Sequence, residues 1–416
     1  MHNKTLRRLG HLAAWLMLAA SVGAAWLLGQ ARPSSLPSPS PSPSQNPTES
    51  LAPSPQPAKS QELAGVWVPY MALAANGTQE GFEDNFRGIA DSAKEKGLNA
   101  LFVHVRPFCD ALYPSQLYPW SHLLTGEQGK DPGFDPLAFM VEYTHSLGME
   151  FHAWINPLRV KTNQTPGALA PNSPYTQLKD DYPYYFMEWE GGVYLNPAYP
   201  YVRTLIAQGA AEIVENYPVD GVHFDDYFYP AQDESLDSQA YALYTQTVGT
   251  PLSLGDWRSA NIDAMVAEVY HRVKAANSQA VFGISPQGNL ANDAEMGADV
   301  AAWCAVPGYL DYICPQLYYG FENPALSYTE ALDDWVELTR HENLKLYAGL
   351  ALYKAGSGEE DGAWDQADMI SRQITAAREA ECGGIVLYSS AYLDTQQTQA
   401  ALSQAVETLA QAEPAN

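Results

Sequence analysis

Eight short apolar runs, each followed by a stretch patterned for a helix, constrain this chain more than any other feature. The runs lie at 65–70, 100–106, 150–156, 221–225, 280–285, 312–317, 346–351 and 384–389. Helix-like stretches fill the gaps at 82–96, 136–147, 201–216, 261–276, 328–341 and 365–380. Strands that alternate with helices pair in parallel, because each helix carries the chain back across the sheet. Gly97, Gly148 and Gly383 stand where a helix must turn into the next strand, the place for a left-handed cap. Eight such units in residues 63–416 predict a (β/α)8 TIM barrel with enlarged βα loops, an α/β fold. An open doubly wound sheet is the alternative, but no glycine-rich phosphate loop follows the first run.

The first 62 residues do not belong to that repeat. Lys4, Arg7 and Arg8 precede an apolar stretch from 12 to 28, broken only by Ser21 and small residues, so residues 1–30 read as a signal peptide or signal-anchor. The positive end stays in the cytoplasm, which sends the remainder outward and predicts an extracytoplasmic protein, secreted or membrane-anchored. Residues 31–62 are rich in Pro and Ser, as at Pro37-Ser-Pro-Ser-Pro-Ser-Pro43, and form an extended linker of about 90 Å at roughly 3 Å per residue. The membrane is met only through the N-terminal segment.

Charge narrows the partners. Twenty-two Lys and Arg against 48 Asp and Glu leave a formal charge of −26, which repels phosphate backbones and argues against nucleic acid. Cys109, Cys304, Cys314 and Cys382 form no CxxC spacing, so a zinc site or redox pair is not indicated. The candidate disulfides are Cys109–Cys382 and Cys304–Cys314. No motif calls for a cofactor.

Side-chain alternation then locates a site. Strand residues point alternately in and out, and function in a (β/α)8 barrel sits at the C-terminal strand ends. With the apolar residues outward, His104 and Arg106 face inward on the second strand, His152, Trp154 and Asn156 on the third, and His223 and Asp225 on the fourth. Later strands add Ser285, Gln287, Gln316, Tyr318, Tyr353, Tyr388 and Ser390. Polar groups from so many strands are not what a purely structural barrel core requires. At the end of strand four, Asp225 and Asp226 place two carboxylates side by side. Glycoside hydrolysis needs such a pair, one carboxylate charged and one protonated. Asp225, inward and near Arg106, is expected to stay ionised; Asp226 is either the acid, a partner orienting Asp225, or a loop cap. Other candidate acids on the loops include Asp110 and Glu322, with Glu188, Glu190, Asp233 and Glu234 also in reach. Trp120, Trp189 and the Tyr182–Tyr185 run are expected sugar-stacking surfaces or loop packing. Asp256-Trp257-Arg258 is expected to cap the helix that follows.

Several motifs also carry a family resemblance. Val105-Arg106-Pro107 with Asp110-Ala-Leu-Tyr-Pro-Ser115, His152-Ala-Trp-Ile-Asn-Pro-Leu-Arg159, Asp220-Gly-Val-His-Phe-Asp-Asp-Tyr-Phe-Tyr-Pro230 and Cys314-Pro-Gln-Leu-Tyr-Tyr319 resemble glycosyl-hydrolase-like family 10 of bacterial envelope proteins. The resemblance spans 63–392 and implies a (β/α)8 glycoside hydrolase, some members acting on peptidoglycan strands stripped of peptides. It implies Asp225 and Asp226 as catalytic, with Arg106, Asn156, Gln316 and Tyr318 around the sugar. His104, His152, Trp154, His223 and Tyr353 join them as candidate substrate-binding residues.

The strand-four run is also similar to that of family-18 chitinases, which use the substrate's N-acetyl group as nucleophile; here Tyr227 stands at their acidic Glu. Two further readings compete. His104, His152 and His223 would suit a metal-dependent deacetylase, but a hydrogen-bonded layer beneath Arg106, Asn156 and Asp225 is the preferred account of them, because no inward Asp or Glu completes a metal site at that depth. Alternatively, the domain is a glycan-binding module without catalysis.

Overall fold

The computed structural model describes residues 62–73, 77–339, 341 and 343–411. The predicted signal or anchor segment and all of the Pro/Ser linker except Glu62 lie outside the described residues. Among the described residues no helix is long and apolar enough to cross a membrane.

The barrel closes. Its strands are β1 (Leu63–Val68), β2 (Ala100–Arg106), β3 (Glu150–Ile155), β7 (Gly221–Phe224), β8 (Val281–Ile284), β9 (Tyr312–Ile313), β10 (Lys345–Leu350) and β11 (Gly384–Tyr388). All neighbours pair in parallel, with β11 returning to β1. Three further strands, β4 (Arg159–Lys161), β5 (Phe186–Trp189) and β6 (Gly192–Leu195), make a small antiparallel sheet within the long loop after β3. That sheet went unforeseen.

The helices on the outside are α1 (Gln79–Glu95), α2 (Pro136–Ser146), α3 (Pro200–Asn216), α4 (Leu254–Ala276), α5 (Leu290–Glu295), α6 (Tyr328–Leu338), α7 (Met369–Glu379) and α8 (Gln399–Ala410). Side-chain caps start several of them: Thr78 accepts from Gly81 N–H, Asp135 from Ala138 N–H, and Ser327 with Glu330 closes a capping box on α6. The helix over Asp256-Trp257-Arg258 begins earlier, capped by Ser253, and Arg258 instead pairs with Asp237. Gly97 and Gly148 hold the predicted left-handed turns, at φ 75° and 68°. At the third such turn Glu381, not Gly383, takes that conformation, at φ 59°.

Two apolar layers result. Outward strand residues such as Val66, Val103, Ile155, Phe224 and Leu387 pack under the helices. A second cluster, built on Trp67, Phe102, Trp154, Tyr312, Cys314, Tyr347 and Val386, fills the barrel interior. All four cysteines are buried free thiols, so neither candidate disulfide forms.

Candidate active site

The site is assembled where β7 ends. Asp225 follows the last strand residue, and the chain bends at Asp226, with Phe228 N–H returning to the Asp226 carbonyl at 3.1 Å. The bend lets two consecutive carboxylates face the same mouth from opposite sides of β7. Asp225 leans toward β3: it accepts from Trp154 Nε1 at 3.0 Å, from Asn156 Nδ2 at 3.2 Å and from Tyr227 N–H at 3.3 Å. Asp226 leans the other way, accepting from Gln316 Nε2 at 3.1 Å. Gln316 stands past Pro315, where bridges to Gln287 and Gly349 extend the short β9.

Burial differs between the two. Asp225 is 4% exposed, whereas Asp226 is half-buried and open to the mouth. Burial, reinforced by the charge of Asp226, pushes Asp225 up to about 7. Burial also raises Asp226, against the hydrogen bonds from Gln316 and Gln287. The pair therefore holds a proton near neutrality. Trp154, Asn156 and Tyr227 donate to Asp225 and Gln316 donates to Asp226, so the hydrogen bonds do not separate the two carboxyls; accessibility does, because Asp226 is the one that a bound molecule can reach.

Two placements differ from expectation, and both have a local cause. Arg106 does not face the mouth. The β2–β3 register slips between His104 and Arg106, so Val105 is an extra residue and Arg106 pairs with the outward Ile155. Its guanidinium lies 4.4 Å from the Tyr118 ring and packs against Gly209 of α3. The arginine that acts on Asp225 and Asp226 is Arg159, three residues beyond Asn156. Asp110 is fully buried and clamps the loops, accepting from Gln128 Nε2 and meeting His122 Nδ1, both at 3.1 Å, while His122 Nε2 reaches Thr165 Oγ1. Glu322 is exposed on the turn after β9.

The three histidines do not converge. His152 sits low in the barrel, stacked on Phe102 and 3.2 Å from Glu150. His223 accepts from Trp67 Nε1 at 3.0 Å, and its Nδ1 lies 2.9 Å from the Tyr312 hydroxyl. An indole N–H only donates, so Nδ1 carries the His223 proton. Burial holds both His104 and His223 well below the usual histidine range. His104 stacks on Trp154 at 3.8 Å, directly behind the indole that donates to Asp225. Among the described residues no cluster of His, Cys, Asp or Glu could hold a metal. Neither ring nitrogen of His104 has a hydrogen-bond partner, so the three do not form the expected hydrogen-bonded layer; each packs separately in the barrel interior.

Tyrosines wall the mouth. Tyr318, Tyr353 and Tyr388 meet pairwise at 5.9–6.1 Å, and Tyr227 stands half exposed beside Arg159. The Tyr182, Tyr184 and Tyr185 rings instead pack on one another and on Tyr199 and Tyr201.

A further acid escaped sequence reading. Asp293 of α5 is 2% exposed; its Oδ1 accepts from Gln287 N–H at 2.9 Å and its Oδ2 has no partner. Burial pushes it up to about 8, with the charge of Asp226 adding to the rise. The native state thus keeps a proton that the unfolded chain loses, so this group lowers stability progressively as pH rises from about 4 to about 8. Asp293→Asn removes that dependence. Between pH 5 and pH 9 its melting temperature should fall by at least about 4 °C less than wild type, at about 2–4 °C per kcal/mol; equal falls in the two proteins would contradict the assignment.

A closed (β/α)8 barrel with paired, unequally buried carboxylates at its C-terminal mouth defines a protein of the glycan-acting hydrolase class. Residues 62–366 match the glycosyl hydrolase-like 10 family, and the chain belongs to it. It is 34% identical over 346 residues to glycosyl hydrolase YngK of Bacillus subtilis (strain 168), covering 77% of this chain and 66% of that protein. It is also 34% identical over 349 residues to glycosyl hydrolase DigH of Escherichia coli (strain K12), covering 75% of this chain and 76% of that one. Among solved structures, the catalytic domain of beta-amylase from Paenibacillus polymyxa shares the fold with TM-score 0.59 at 12% identity, over 83% of this chain and 98% of that one. The PgaB (BpsB) glycoside hydrolase domain from Bordetella bronchiseptica does so with TM-score 0.54 at 14% identity, over the same 83% and 98%.

Proposed function

We propose that the protein hydrolyses O-glycosidic bonds of a cell-envelope amino-sugar polysaccharide, peptidoglycan glycan strands stripped of peptides, on the outer side of the membrane. The observation that carries this reading is the unequal environment of Asp225 and Asp226. Asp226, open to the mouth, gives its proton to the glycosidic oxygen as the C–O bond breaks. Asp225, fixed by the Trp154 and Asn156 donors, supplies negative charge beneath the cationic sugar that develops. Water adds to the anomeric carbon and returns the proton. Tyr318, Tyr353 and Tyr388 offer ring faces for the sugar to stack on. The basic and then apolar start of the sequence supports export, and the names of the Bacillus and Escherichia relatives support glycan cleavage.

Incubating the full chain with peptide-free glycan strands should release new reducing ends, read by mass spectrometry. Binding without release on any amino-sugar polymer would instead favour a glycan-binding module.

The shared proton also sets a pH limb. Above about 7 the pair loses its last proton, so the acid form disappears as pH rises. kcat/KM should fall by about tenfold per pH unit above roughly pH 8. Activity that stays level to pH 9.5 would contradict the acid role.

A further inference from the structure

We propose that Arg159 is the specificity determinant of this site, receiving a carboxylate carried by the sugar bound over Asp225 and Asp226, so that the substrate is an acidic glycan rather than a neutral one. The inference rests on the hydrolase reading above. Arg159 opens β4, and its position is fixed from several sides. Its backbone N–H donates to Asn156 Oδ1 at 3.0 Å, and its Nε donates to the Pro107 carbonyl at 3.0 Å. The guanidinium lies 5.0 Å from the Phe108 ring and 5.3 Å from the Tyr227 ring. These contacts hold the plane of the fork and leave both Nη nitrogens without a protein partner among the described residues. No carboxylate lies within ion-pair reach of it there, in a chain of net charge −26.

The other cations near this face are committed elsewhere. Arg106 is turned under α3, and Lys354 is held by the Tyr318 carbonyl at 3.1 Å and by Glu359 at 3.2 Å. A half-buried, pre-oriented guanidinium with two free nitrogens is matched to a planar carboxylate, which it grips through two parallel hydrogen bonds. The acidity of the whole chain does not prevent this, because repulsion is screened beyond about 8 Å at physiological salt. Asn156 joins the Arg159 backbone to Asp225, and the Arg159 charge offsets part of the burial that raises both carboxyls, so Arg159 faces the reacting sugar and not a distant subsite. Two sources share the required chemistry: a lactyl ether on a hexosamine, and a uronic acid.

The test compares wild type, Arg159→Gln and Arg159→Lys on peptide-free peptidoglycan strands and on a uronate-containing glycosaminoglycan. Each polymer is used native and after reduction of its carboxyls to alcohols. Wild type should cut at least one native polymer with kcat/KM roughly 10–100-fold above its reduced form, the range expected for a hydrogen bond to a charged group; which polymer does so identifies the source. Arg159→Gln should abolish that preference through KM, and Arg159→Lys should keep only part of it. Equal cleavage of native and reduced polymers by wild type overturns the inference and leaves the hydrolase reading intact. An equal loss on both forms in Arg159→Gln, with the alkaline limb moved to higher pH, overturns it in favour of a purely electrostatic role on the acidic pair. No cleavage of any polymer by wild type removes the hydrolase reading and this inference with it.

Discussion

Asp226→Asn is expected to lower kcat on peptide-free glycan strands by about 10²–10⁴-fold, the usual contribution of a positioned general acid. The amide retains the shape of the side chain but has no proton to deliver to the leaving oxygen. Binding should survive, because the ring faces of Tyr318, Tyr353 and Tyr388 and the Arg159 fork do not depend on that proton. Stability should change little, since Asp226 is half-buried and an amide oxygen can still accept from Gln316. Turnover measured alongside binding separates the two effects. A variant that loses binding as much as turnover would make Asp226 a structural or substrate-holding group.

His223→Leu is expected to show the opposite pattern. His223 is completely buried, and both ring nitrogens are used, one by Trp67 and one by Tyr312. Leucine nearly fills the volume but leaves an indole N–H and a phenol hydroxyl buried without partners. At about 1–3 kcal/mol each, the loss is about 2–6 kcal/mol, a large part of the margin of a typical domain. The denaturant midpoint should fall with an unchanged m-value. The fraction that remains folded should cut glycan within about threefold of wild type, the ordinary spread for a residue with no transition-state role. Unchanged stability with lost activity would restore His223 to the chemistry.

These two outcomes separate what side-chain alternation can reveal from what it cannot. Parity correctly assigns Trp154 and His223 to the interior, because β3 and β7 are regular and their outward residues are apolar. It gives no height along the barrel axis. Strand pairing sets His152 opposite Gly221 but both His104 and His223 opposite Trp154, so three histidines that look level in sequence do not share one register. Parity also fails wherever a residue is inserted. Val105 is apolar whether it lies in register or in a bulge, and nothing in the sequence signals that Arg106 will turn to Tyr118 and α3. Arg159 was visible within the Asn156-Pro-Leu-Arg159 motif, but it stands beyond the strand, where alternation says nothing. Asp110 and Asp293 were hidden for another reason: loop and helix carboxylates look exposed in sequence, and only tertiary packing buries them. The small β4–β6–β5 sheet falls in the same class, its strands being only three or four residues long.

The measurement that bears most directly on the central claim is a crystal structure of Asp226→Asn with an uncut amino-sugar oligosaccharide bound. The scissile glycosidic oxygen should lie about 2.6–3.2 Å from the residue 226 amide, with the sugar ring above Asp225 and its carboxylate on Arg159. An oligosaccharide seated away from the β7 mouth, or with its glycosidic oxygen out of reach of residue 226, would contradict the account.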